Sequence, residues 1–83
     1  MARRRETDTA RFPEYEWLAA NALRLRMDAG LSQAEVASRM GGIDQSYVSA
    51  VERMQINATL EVLSRLSFAL NCSISELLTN NTV

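Results

Sequence analysis

The residues from Leu31 to Arg53, LSQAEVASRMGGIDQSYVSAVER, decide the fold. They read as two short helices, Ser32 to Met40 and Asp44 to about Met54, separated by a break at Gly41-Gly42. Ser32 suits an N-cap because its hydroxyl can accept from an unpaired amide of the first turn, and Glu35, three residues on, can reach back to the Ser32 amide. Leu31 before this cap and Val36 after it can close as a hydrophobic staple. Asp44 offers the same kind of cap to the second helix, and its charge complements the positive end of the helix dipole.

At about 100° per residue, Tyr47, Val48 and Val51 fall on one side of that second helix, while Gln45, Ser46, Ser49, Ala50 and Arg53 fall on the other. A solvated face ordinarily mixes charges. This one is short and carries amides and hydroxyls, with one Arg at its far end. Gln can bond adenine in two places, Ser can donate or accept, and an Ala methyl can touch a thymine methyl, so the face suits base edges in a major groove. Gln and Ser near a helix start are also ordinary capping and surface residues, and composition alone leaves both readings open.

Spacing adds to this. From about Leu23 to Leu78 the chain strongly resembles the helix-turn-helix of the Cro and phage-repressor type, the XRE-like family. The resemblance rests on Leu25-Arg26, Gly30-Leu31-Ser32-Gln33, Val36-Ala37, Gly42, Gln45 to Ser49, Val51-Glu52-Arg53, Asn57, Leu60-Glu61, Leu63, Leu66, Ala69-Leu70 and Ser75 to Leu78. So many matches in register are more specific than a lone short motif. The resemblance implies an all-α, five-helix DNA-binding domain, placed over residues 13–79; residues 1–12, without periodicity and with charges of both signs, read as an N-terminal arm, and 80–83 as a C-terminal tail. It further implies base contacts from Gln45, Ser46, Ser49, Ala50 and Arg53, phosphate contacts from Gln33 and Asn57, and a structural ion pair between Arg26 and Glu52. The chain departs from the family in three places. Gly41-Gly42 adds one residue to the usual turn, Met54 stands where a helix-ending Gly is usual, and Ala58 stands where Pro is usual.

Composition bounds the alternatives. A chain of 83 residues, 47% of them hydrophobic, can form one small domain of the size that often gains from dimerisation. One Pro, three Gly and no β-branched runs point to helices throughout. The formal charge of -1 argues against strong nonspecific polyanion binding. Yet all nine basic residues are Arg, the side chain that binds phosphate and guanine bidentately. With one Cys and no His, a disulfide framework, a Cys/His zinc site and a Cys-His or Ser-His catalytic pair are all excluded. Glu35, Glu52 and Glu76 each have a capping or ion-pair role simpler than acid-base catalysis, so no enzymatic activity, metal or cofactor is expected. Cys72 reads as a small buried hydrophobe or part of a helix-opening turn. No apolar run approaches the roughly 20 residues that span a bilayer, and the expected location is cytoplasmic.

Along the chain, Arg3, Arg4 and Arg5 either reach into a minor groove or along phosphates, or belong to a tail without a role. Pro13 opens a first helix whose inward positions are Trp17, Leu18, Ala22 and Leu25, ending at Gly30. Small Ala37 marks a close helix crossing. Thr59 caps a fourth helix running to Asn71, with Leu60, Leu63, Leu66 or Ser67, and Leu70 facing inward. Ser73 and Glu76 form a second capping box, opening a short helix from Ile74 to about Thr79. Its Ile74, Leu77 and Leu78 exceed what one more turn of core needs, so part of this face is expected at a two-fold interface, the alternative being that all three close the monomer core.

The expected function is therefore a sequence-specific transcriptional regulator, a repressor or autoregulator, binding double-stranded DNA at a palindromic operator as a homodimer. Within that class the small size resembles restriction-modification controller proteins or antitoxins, the latter with a toxin as partner. A protein-interaction module on the same scaffold is the reading from a different class, motivated by the acidic balance and the absence of Lys.

Overall fold

The computed structural model describes residues 12–81. Five helices follow one another, α1 (Pro13–Asp28), α2 (Gln33–Arg39), α3 (Gln45–Glu52), α4 (Leu60–Leu70) and α5 (Ile74–Leu77), with no strand among the described residues. Residues 1–11 of the expected arm, including Arg3, Arg4 and Arg5, and the last two residues of the expected tail lie outside them.

Local chemistry sets the helix starts. Ser32 and Ser73 each accept from the backbone N–H of a Glu three residues on, and that Glu carboxylate accepts from the cap residue's own N–H, at 2.7–3.0 Å in all four bonds. Asp44 and Thr59 cap α3 and α4 in the simpler way, accepting from the N–H of Ser46 and Val62. Both capping boxes satisfy two otherwise unpaired donors reciprocally.

The helix ends share one device. After α1, α2, α3 and α4 the chain turns through a residue at positive φ, namely Gly30, Gly41, Met54 and Asn71. In each case the next N–H reaches back to a carbonyl in the last turn: Leu31 to Arg26, Gly42 to Ala37, Gln55 to Ala50 and Cys72 to Ser67. This is the Schellman arrangement, which satisfies carbonyls that the helix itself leaves open. Met54 adopts it at φ 59 without the glycine usual there.

The core lies among all five helices, with α3 and α4 each packed on α1 and α2, and α5 packed on α1 and α4. Leu18 and Ala22 from α1, Val36 and Ala37 from α2, Val48 and Val51 from α3, Leu66 and Ala69 from α4, and Leu77 from α5 are all 3% exposed or less. Ala37 sits where α2 packs on both α3 and α4, so its single methyl group is what the crossing admits.

Two expectations are corrected. Leu60 is 71% exposed. At about 100° per residue it lies roughly 120° from Leu66 and roughly 180° from Ala69, so it faces away from the core that those residues enter. Leu77, expected at a two-fold interface, has no exposed surface and is spent inside the monomer, whereas Ile74 and Leu78 are only half-buried. Tyr47, on the same side of α3 as Val48 and Val51, is 36% exposed and lines a cleft facing α4.

A buried polar residue, Asn21, completes the fold. Its Nδ2 donates towards the carbonyls of Glu76, Leu77 and Thr79 at 3.1, 2.9 and 2.8 Å, while its Oδ1 accepts from Arg24 and Asn81. One side chain of α1 thereby caps the open carbonyls at the end of α5. A polar residue within the apolar stripe of Leu18, Ala22 and Leu25 is the sequence signal for this.

Candidate nucleic-acid interface

The second helix of the α2–α3 pair is held at its last residue by a three-way junction at Glu52. Arg26 of α1 donates from Nε to Oε2 at 2.6 Å and from Nη2 to Oε1 at 3.1 Å, and Gln33 of α2 donates from Nε2 to Oε1 at 2.9 Å. Arg26 Nη1 also donates to the Leu31 carbonyl in the α1–α2 turn. Three helices are pinned at one carboxylate. Hydrogen bonding to Glu52 outweighs desolvation and pushes the Arg26 guanidinium above its already high pKa, so the cation is permanent.

On the side away from buried Val48 and Val51, α3 presents the residues singled out in the sequence. Gln45 and Ser46 are exposed in its first turn, Ser49 and Ala50 are half-buried in its second, and Arg53 is exposed at its end. Arg53 folds back along the helix, donating from Nε to the Ser49 hydroxyl at 3.1 Å and the Ser49 carbonyl at 3.3 Å. Ser49 keeps its own O–H to donate, and the two Nη groups of Arg53 extend beyond it. Asn57 is exposed in the loop between α3 and α4. Gln33, matched to a phosphate contact, instead turns its amide inward to Glu52. That link between the two helices is not apparent in the sequence.

The electrostatics are economical. Hydrogen bonds from the N–H of Ser46 and of Ser32 hold the Asp44 and Glu35 carboxyls below their usual range. Asp44 therefore carries its negative charge at the start of α3, which opposes a nearby phosphate, and Arg53 is the only cation among residues 45–53. Burial, with Glu76 adding to it, pushes the Cys72 thiol up, as suits an unreactive side chain. Among the described residues no cluster of His, Cys, Asp or Glu could hold a metal ion, and no helix is long and apolar enough to cross a membrane.

Two capped helices joined by a tight turn, the second offering an uncharged polar face, coincide with a match of residues 23–77 to the helix-turn-helix family model. The chain belongs to the XRE-type helix-turn-helix family. It is a DNA-binding transcriptional regulator by family and not an enzyme. This helix-turn-helix protein is 42% identical over 62 residues to an uncharacterized HTH-type transcriptional regulator, y4dJ, of Sinorhizobium fredii, a match covering 75% of this chain and 79% of that one. It is 41% identical over 64 residues to the control protein C.SmaI of Serratia marcescens, covering 77% and 75% of the two chains. The crystal structure of the hypothetical transcription factor NHTF from Neisseria superposes with a TM-score of 0.74 at 37% identity, covering 78% of this chain and 74% of that one.

Proposed function

We propose that the protein reads a specific operator by laying α3 in the major groove, with Gln45, Ser46, Ser49 and Ala50 at base edges and Arg53 at a base or phosphate. The observation that carries this is the exposed, uncharged face of Gln45 and Ser46 on a helix whose opposite face is buried through Val48 and Val51 and whose last residue, Glu52, is tied to α1 and α2. Phosphate contacts set the register. They fall to Asn57 and, since one N–H of the Gln33 amide is engaged, to the second N–H of that amide and the backbone N–H groups opening α2.

A dimer follows from the need to read two half-sites. Ile74 and Leu78 retain exposed apolar surface beside α5, and this face joins the two copies in the proposal. Recognition helices about 34 Å apart then match an imperfect palindrome, and occupancy of such a site represses by excluding polymerase. The similarity to a control protein supports a stand-alone controller over an antitoxin-type module.

Selection of bound duplexes from a random pool, followed by a salt titration on the selected site, tests the reading. The expected result is a two-fold-related consensus whose affinity falls steeply with salt. A folded dimer that selects nothing, even in low salt, would instead favour the protein-interaction module.

A further inference from the structure

The α2–α3 turn contains two successive residues at positive φ, Gly41 at 106° and Gly42 at 81°. Glycine permits this path but supplies no stiffness. The turn also carries α3 away from α4. The recognition helix packs on α2 and α1, and between its start and α4 lies a cleft of about 400 Å³, lined in part by Gly41, Ile43, Tyr47, Glu61 and Arg65.

One side chain bridges this cleft. Arg65 of α4 donates from Nη1 to the Met40 carbonyl at 2.8 Å, where α2 ends, and its guanidinium occupies the space that a Cβ on Gly41 would need. Glu61, one turn earlier on α4, holds the same guanidinium through Nε at 3.1 Å and Nη2 at 3.0 Å. The cation thus sits on an open carbonyl at the negative end of α2, where both charge and hydrogen bond favour it.

We propose that Arg65 is a positioning residue for DNA reading: a strut from α4, oriented by Glu61, that fixes the glycine turn and so the angle at which α3 is presented. The inference rests on the proposed use of α3 as the reading helix. It assigns Arg65 a part in specificity without contact to DNA. A phosphate-binding Arg would act differently, since it would contribute equally to every sequence and to the salt dependence.

The test uses the full chain, an operator selected from random duplexes and an unrelated duplex of equal length. The readout is the ratio of the two affinities, which a change in folded fraction does not alter. Arg65→Gln is expected to lower that ratio by about tenfold, the worth of one charge-assisted hydrogen bond, with an unchanged salt slope. Arg65→Lys restores part of the loss. Glu61→Gln lowers the ratio by a smaller factor, whereas bulk electrostatics, acting on the removed negative charge alone, would raise both affinities alike and leave the ratio unchanged. Equal losses on both duplexes with a salt slope smaller by about one would make Arg65 a phosphate ligand and overturn the inference. An unchanged ratio in Arg65→Gln would overturn it as well. If wild-type protein shows no preference for any duplex, the reading of α3 fails first and the inference fails with it.

Discussion

The Arg26 guanidinium and the Glu52 carboxylate meet side-on through two N–H bonds, with side-chain exposures of 16% and 7%. A pair this enclosed is more informative when broken than when present. Glu52→Ala leaves a mostly buried cation whose partner is gone and also frees Gln33, and should cost about 3 kcal/mol, whereas an exposed pair would cost under about 1. Replacing both residues with Met should recover the wild-type value to within about 1 kcal/mol, because neither charge then needs solvation. Urea denaturation of the single and double variants checks this. Equal destabilisation by the single and double changes would show that the junction acts through packing and not charge.

Asn21 predicts a second large effect from a small change. Its amide serves carbonyls of Glu76, Leu77 and Thr79 that α5 cannot satisfy itself. Asn21→Ala should cost about 2–3 kcal/mol, the penalty for unsatisfied buried polar groups. Asn21→Asp should cost more, since it opposes carbonyl oxygens with an acceptor. The single tryptophan, Trp17, lies one turn away on α1 and provides a fluorescence signal for the unfolding curve. Tolerance of Asn21→Asp at neutral pH would contradict the capping role.

The caps make stability depend on pH at its acid end. Glu35 and Asp44 are held below their usual pKa chiefly by backbone N–H bonds, from Ser32 and Ser46 respectively. Because the folded pKa values are depressed, this stabilisation is complete above the unfolded value of about 4 and is lost as pH falls through the lower folded values. Thermal melts from about pH 7 down to about pH 2.5 should show the loss. Glu35→Gln and Asp44→Asn should lie below wild type at neutral pH and converge with it in acid. A constant offset at every pH would mean that the charge contributes nothing.

Much of this architecture was legible because it is local. Ser32 with Glu35, Ser73 with Glu76, Asp44, Thr59, Gly30 and Asn71 are short-range signals, and each marks a helix end in the structure. The pairing of Arg26 with Glu52 was reachable only through the family resemblance, since 26 residues separate them. Leu60 was misread because one apolar residue at a helix start carries little phase information, and Leu77 because a four-residue helix cannot reveal which of its apolar residues the core will take. Asn21, Arg65 and the inward turn of Gln33 depend on contacts between elements, which no periodicity encodes.

The outer face of α3 gives the most direct functional prediction. Gln45 is exposed in the first turn, ahead of the Arg53–Ser49 link that occupies the helix end. A glutamine amide can donate and accept on one adenine edge at once, and each such pairing discriminates by about 1–3 kcal/mol. Gln45→Ala should therefore weaken the selected operator by that amount and relax preference at one base pair per half-site, with the salt slope unchanged. Arg53→Gln should behave differently if Arg53 meets phosphate, weakening all duplexes alike and reducing the slope by about one. Competition binding against single-base operator variants separates the two. A Gln45→Ala protein that loses affinity evenly across every variant would show that the amide reads no base, and recognition would then have to lie with Ser46, Ser49 and Ala50.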